Sequence, residues 1–272
     1  MSGGKKVRKN LVHILIAGLA LMAGLPATST ATDFVNTCLL NSSLASDSCP
    51  PHLMFDFGGK VAPKQLPKHK MAPVAVTIRG KVATDNGVQP SALREMTVLL
   101  DRSFAANAIG LPTCKRRQLA HSYSAAVRMC RTSIVGTGAA HAEISSQQQG
   151  LIDLPLTLFN GGIHGHATTL FILSSIAAPT PTPLLATVTL SKINMGRYGL
   201  QVVSKIPRIA NGDGSLHDFT LRVKRLFSAR CLDGQLNARV ERAIFKNETK
   251  VPGVAHETIL KGTMVRSCTP RD

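Results

Sequence analysis

The chain has 272 residues, 44% hydrophobic and only 17% charged, with six cysteines, no tryptophan and a formal charge of +17. This length and apolar content suffice for one buried core and exclude a chain that stays disordered. No segment is long and apolar enough for a membrane-spanning helix, and neither heptads nor a repeat of solenoid length is present.

Residues 1–31 have the pattern of a secretory signal peptide. Lys5, Lys6, Arg8 and Lys9 form a basic start, residues 11–25 an apolar run short of the roughly 20 that span a bilayer, and Ser29, Thr30 and Ala31 a small-residue cleavage site. The mature chain is therefore expected to be secreted or associated with the cell envelope, without a transmembrane span. Cleavage after Ala31 removes four of the basic residues and leaves the chain strongly basic. Residues 32–72, rich in Ser, Pro, Lys and Asn, read as an N-terminal extension that docks through the apolar knot Leu53-Met54-Phe55-Asp56-Phe57. A β-sandwich domain is expected over residues 73–272.

From Pro73 onward the texture becomes that of strands. Val74, Val76 and Ile78 alternate with Ala75, Thr77 and Arg79, Asp85-Asn86-Gly87 supplies a turn, and Met96, Val98 and Leu100 share a face of the next strand. Leu119, Tyr123, Val127 and Cys130 recur at helical spacing. Residues 133–144 read as a small-residue strand, and Ile152, Leu154, Leu156 and Leu158 alternate before a turn expected at Asn160-Gly161-Gly162. Further strands are expected at 168–173, 184–190, 198–203 and 219–223, with the Pro179-Thr180-Pro181-Thr182-Pro183 segment as a loop or edge connection. In the last of these Phe219, Leu221 and Val223 face a core while Thr220, Arg222 and Lys224 face water. Strands at 236–245 and 256–265 form a hairpin about a turn at 247–253. About nine or ten short strands with one short helix define an all-β chain: an antiparallel two-layer β-sandwich or open barrel with one short disulfide-bracketed helix.

An even number of cysteines in an exported chain favours disulfides. They fall into three local pairs: Cys38 with Cys49, Cys114 with Cys130, and Cys231 with Cys268. The last pair would clamp the outer ends of the C-terminal hairpin. The middle pair limits the helix, because sixteen helical steps would part the cysteines by roughly 24 Å, whereas a disulfide needs Cα atoms about 4.4–6.8 Å apart. A short helix after a returning loop satisfies both. No Cys-x-x-Cys occurs and no Cys/His set has structural-zinc spacing.

The chemistry-bearing motifs are all incomplete. His164-Gly165-His166 would place two imidazoles on one strand face, but no third ligand is identifiable. His141-Ala142-Glu143 lacks the Pro-Cys-x-x-Cys half of a zinc deaminase, and His256-Glu257 has Leu260 where a metalloprotease helix needs its second histidine. Asn211, Asp213 and Ser215 start a calcium-loop spacing that Leu216 and Arg222 break. Nucleophile-elbow, phosphate-loop and dinucleotide motifs are missing, so no catalytic residue, cofactor or metal ligand is assigned.

The basic segments Lys115-Arg116-Arg117, Arg222-Val223-Lys224-Arg225 and 239–242 point instead to anionic envelope polymers or lipids as partners. Nucleic acid is not expected, with no tryptophan, two tyrosines and no recognition module. The expected function is a non-catalytic binding or structural module, with two alternatives. One is a lipid or acyl-chain carrier, favoured by an apolar-lined cavity; the other is a hydrolase, favoured by a buried histidine beside a serine or acid.

Gly110-Leu111-Pro112-Thr113-Cys114, Cys130-Arg131-Thr132-Ser133-Ile134-Val135-Gly136-Thr137-Gly138, Phe159-Asn160-Gly161 and a closing Cys268 together carry a resemblance. Over about residues 60–270 the chain resembles a group of exported bacterial β-rich proteins with no established function. The resemblance implies a sandwich-like fold and a disulfide framework, and brings no catalytic residue with it. Cys231-Leu232 departs from the Cys-Pro expected at that junction.

Overall fold

The computed structural model describes residues 52–145, 150–176, 182–248 and 255–271. The signal peptide, most of the N-terminal extension and the Cys38–Cys49 pairing lie outside the described residues.

The strands are β1 (Leu53–Ala62), β2 (Gln65–Pro67), β3 (Ala72–Thr84), β4 (Ala92–Asp101), β5 (Phe104–Ala106), β6 (Ile134–Ile144), β7 (Leu151–His164), β8 (Ala167–Ile176), β9 (Thr182–Met195), β10 (Tyr198–Lys205), β11 (Gly214–Ala229), β12 (Gln235–Lys246), β13 (Glu257–Ser267) and β14 (Thr269–Arg271). One α-helix, α1 (Tyr123–Met129), follows a 3-10 turn over Arg116–Ala120. The main sheet is antiparallel throughout, in the order β1-β3-β11-β6-β7-β8-β9-β10-β4-β12-β13, with β5 added on β11. It curls until β1 and β13 come alongside each other, giving a nearly closed barrel with one seam. Of the two architectures expected, the barrel is the one adopted.

Alternation explains why these residues close a barrel. Along β11 Leu221 and Val223 are buried while Thr220, Arg222 and Lys224 are exposed, so one face fills the interior and the other meets solvent. The same period places Leu154, Leu156 and Leu158 of β7 and Leu170 and Ile172 of β8 inside. At Arg225 the backbone enters the left-handed region (φ 65°), the ladder to β3 shifts register, and Leu226 and Phe227 turn into the core. Leu66 of β2 and Phe104 of β5 pack in the same cluster. The parallel β2–β14 pair ties the C-terminus to that side.

Two expectations about boundaries change. The knot at Leu53–Phe57 is not a docking plug on an extension: it is the first half of β1, paired with β3 from Leu53↔Thr84 to Ala62↔Ala75, so the barrel begins at Leu53. Asn160-Gly161-Gly162 is not a turn either. It is a bulge inside β7, with Gly162 at φ 98°, and the chain turns at Gly165. The reason is tertiary, since Asn160 is fully buried and all its bonds are internal. Its Nδ2 donates to the carbonyls of Leu111 (3.2 Å) and Pro112 (3.1 Å), and its Oδ1 accepts from Gly162 N–H (3.1 Å). The N–H of Cys114 donates to the Asn160 carbonyl (2.8 Å). The motifs around 110–114 and 159–161 are thus one structural unit, which docks the cysteine-bounded segment on the outside of β7 and β8. There Leu119, Ala126 and the cystine cover Phe159, Phe171 and Leu173.

Both disulfides within the described residues have the expected pairing: Cys114–Cys130, Cα atoms 5.6 Å apart, and Cys231–Cys268, 6.0 Å apart at the outer ends of the β12–β13 hairpin. They mark a chain that folds in an oxidising compartment. Among the described residues no helix is long and apolar enough to cross a membrane.

Candidate functional site: an interior cavity and the seam beside it

The inward alternation of so many strands fills the barrel with branched side chains, yet does not fill it completely. A cavity of about 220 Å³ remains. Its wall includes Val76, Ile78, Val98, Leu156, Ile172, Val188, Val202 and Leu221, drawn from β3, β4, β7, β8, β9, β10 and β11. Thr77, Ser174, Ser204 and Asn237 are the few neutral polar residues among the lining. Asn237 is already committed: its N–H (2.7 Å) and Nδ2 (3.3 Å) both donate to the buried Asp101 carboxylate, which also accepts from Ser103 N–H (2.8 Å). An enclosed apolar space of about 150 Å³ takes up benzene, so a cavity with this size and lining favours hydrocarbon.

At one end the lining reaches Ile206, Pro207 and Ile209 in the β10–β11 connection. That connection is clamped by Arg94 of β4, whose guanidinium donates to the Pro207 carbonyl and to both oxygens of Glu248. Burial opposes ionisation of Glu248. Its bonds to Arg94, with the charges of Arg94, Arg208 and Lys246, outweigh burial and hold the carboxyl below its ordinary range.

Sideways the lining reaches the seam, at Gly58, Gly59, Lys60, Met264 and Arg266. No ladder joins β1 to β13 among the described residues. Arg266 crosses instead, with Nε donating to the Gly59 carbonyl (2.6 Å) and Nη1 to the Val265 carbonyl (3.0 Å). A Cβ on Gly58 would stand 3.3 Å from Arg266 Nη2 and 3.3 Å from Arg79 Nε, so two guanidinium groups converge over this bare backbone. Burial lowers the pKa of Arg266, as does the charge of Arg79, while Asp56 opposes the shift.

The motifs singled out by sequence do not assemble into a second site. His164 and His166 are exposed and flank the Gly165 turn, so the strand spacing that would align them does not apply. His141 Nδ1 lies 2.7 Å from Asp218 and Nε2 3.2 Å from Asp153, and His217 Nδ1 lies 3.1 Å from the other Asp218 oxygen. The bond to Asp218 and its charge, aided by Asp153, raise the His141 pKa. Both imidazole nitrogens are therefore engaged by carboxylates on the outer wall. His256 and Glu257 are exposed, and Glu257 faces Lys246 at 3.6 Å. Asn211 sits in a left-handed turn while Ser215 is buried in β11, so their side chains belong to different environments. Among the described residues no group of three or more His, Cys, Asp or Glu is placed to hold a metal ion.

Of the basic segments, Lys115-Arg116-Arg117 and Arg222, Lys224 and Arg225 are exposed. Arg239 and Arg242 are engaged by Glu241 (2.9 Å) and Glu95 (2.6 Å). Sequence reasoning passed over Arg79, Arg266 and the Gly58-Gly59 step. The signal available was Arg266 standing in the same alternation as Leu260 and Met264, a charge on the apolar face of a strand.

No family model, curated protein or solved structure matches the chain.

Proposed function

We propose that the protein is a carrier that holds an apolar ligand, of the size of a single medium-length acyl chain, inside the barrel. The observation that supports this most directly is the cavity of about 220 Å³ with its branched aliphatic wall. Transfer of hydrocarbon from water to such a wall is favourable by about 25 cal/mol per Å² of apolar surface removed. The exposed Arg222, Lys224 and Arg225 on the outer face of β11 support the basic character as the means of reaching anionic lipids or envelope polymers, outside the cell or at its envelope. Retention of a charged surface and an apolar interior in one exported molecule suits delivery between a membrane and an aqueous space.

The test is native mass spectrometry of protein secreted by its own host, compared with the denatured mass of the same sample. The carrier reading expects extra mass, lost on denaturation, with the composition of an amphiphile. Stripped protein should then show a melting temperature that rises with added decanol, since ligand at about 100 times its Kd adds about 2.7 kcal/mol to stability. The paired substitutions Leu156→Phe and Val202→Phe, which fill the cavity from two strands, should remove that rise. Equal native and denatured masses together with a melting temperature indifferent to decanol would reject the reading.

A further inference from the structure

We infer that the seam between β1 and β13 is the head-group site of the carrier, and that its ligand is a single-chain carboxylate whose anionic end is received by Arg266 and Arg79 while its chain lies in the barrel. This rests on the carrier reading and specifies its ligand.

Four observations converge on it. First, the cavity extends to the seam, where Gly58 and Gly59 present backbone without side chains. Second, Arg266 Nη2 and Arg79 Nε both lie 3.3 Å from where a Cβ on Gly58 would stand, which brings the exposed Arg79 of the outer face and the half-buried Arg266 together at the outer mouth of the seam. Third, the local charge is unbalanced: Arg79 and Arg266 converge here, Asp56 acts on Arg266 without pairing with it, and among the described residues neither guanidinium has a carboxylate within ion-pair distance. Two guanidinium groups so close, one of them half-buried, repel each other and gain from an anion held between them. Fourth, Arg266 is positioned before any ligand arrives, because Nε and Nη1 are fixed by the Gly59 and Val265 carbonyls while Nη2 points to the converging space. A neutral amphiphile would use the cavity but leave this charge unanswered.

Asp56 lies near the same guanidinium. Its Oδ1 is buried without a hydrogen-bond partner, so the protein's own carboxylate is close enough to act on Arg266 but does not pair with it. The two arginines therefore retain donors for an incoming carboxylate, which planar guanidinium groups bind with directed, charge-assisted bonds.

The test is calorimetric titration of stripped protein with decanoate and with decanol at pH 8 and low salt. Wild type should bind decanoate about tenfold or more tightly than decanol. Arg266→Met and Arg79→Met should each bring that ratio close to one, and Arg266→Lys should recover only part of it. Since Arg266 also spans the seam, Arg79→Met is the decisive variant if Arg266→Met fails to fold. Wild type that binds both ligands equally, or Arg79→Met that keeps the full preference, would overturn the head-group assignment and leave the carrier reading standing. Binding of neither ligand would overturn both.

Discussion

Between β7 and β8 the barrel wall is held twice. The ladder runs from Thr157↔Leu173 to His164↔Ala167, and Phe159, Phe171 and Leu173 are buried again on the outside by α1 and the Cys114–Cys130 bridge. Tyr123 adds a bond from α1 to the buried Thr157 (2.7 Å). Among the described residues no ladder joins β1 to β13, and Arg266 reaches across to the Gly59 carbonyl. The first region is built from groups that satisfy each other inside the protein; the second leaves two strand edges and a guanidinium whose needs the protein meets only in part. Edges of that kind normally require covering. Local opening is therefore expected where side chains rather than a ladder close the wall, and this is also where the cavity approaches the surface.

This contrast is open to graded tests, first on the doubly held flank. Phe159→Ala removes a fully buried ring from between β7 and the α1 cover, and should cost about 4 kcal/mol in urea unfolding. A loss below 1 kcal/mol would mean that the outer cover contributes little. Replacing Cys114 and Cys130 together by alanine should cost about 3 kcal/mol, as expected for a loop of sequence separation 16. Hydrogen exchange should then quicken in β7 and β8, while that of β1 and β13, expected to be the faster pair in wild type, should stay unchanged.

At the end of the barrel that Arg94 clamps, Glu248→Gln leaves Arg94 largely buried without its anion, and should cost about 2 kcal/mol at neutral pH. Because the folded carboxyl lies below its ordinary 4.5, its contribution is present above that value and is lost as pH falls through the folded pKa. Wild type and variant should thus converge in stability in acid, which urea midpoints measured from pH 7 downward would establish. The smallest effect belongs to the outer wall at His141. Its pKa is raised above 6.5, so its stabilisation is complete below that pH and disappears as pH rises through the folded pKa. His141→Gln should lower the midpoint slightly at pH 6 and hardly at all at pH 9; an equal loss at both would show that charge plays no part.

Much of the wall was legible because alternation is a local signal. Phe219, Leu221 and Val223 against Thr220, Arg222 and Lys224 could be sorted from the sequence, and the β12–β13 hairpin follows from a turn between two β-patterned runs with cysteines just outside them. The short helix was legible from a conflict between helical spacing and disulfide reach. Asn160-Gly161-Gly162 misled for a physical reason: composition that usually marks a turn is also what a bulge needs, and the partners that decide between them, the Leu111 and Pro112 carbonyls, lie some fifty residues away in sequence. The apolar knot misled in the same way, since pairing of β1 with β3 gives it a strand's role that the polar residues around it conceal.

The candidate site was less legible than the fold. Each cavity residue looks like an ordinary core residue, and Val202 or Leu156 carries no mark of facing space rather than a neighbour. Incomplete packing is a property of the sum of facing side chains, so it appears only when the strands are curled around one axis. Arg266 is similar, as an arginine near a C-terminus is unremarkable until β13 meets β1.

The sequence by itself determined the all-β class, the inward and outward faces of the strands, and the pairing of Cys114 with Cys130 and of Cys231 with Cys268, because alternation, turn chemistry and short separations act within a few tens of residues. Only the tertiary structure decided that the sheet closes as a barrel instead of folding into two layers, that Leu53 begins it, and that a cavity survives inside with two arginines at its seam. Those outcomes depend on which distant strands become neighbours and on how well their side chains fill the enclosed volume, and neither quantity is carried by any single segment of the chain.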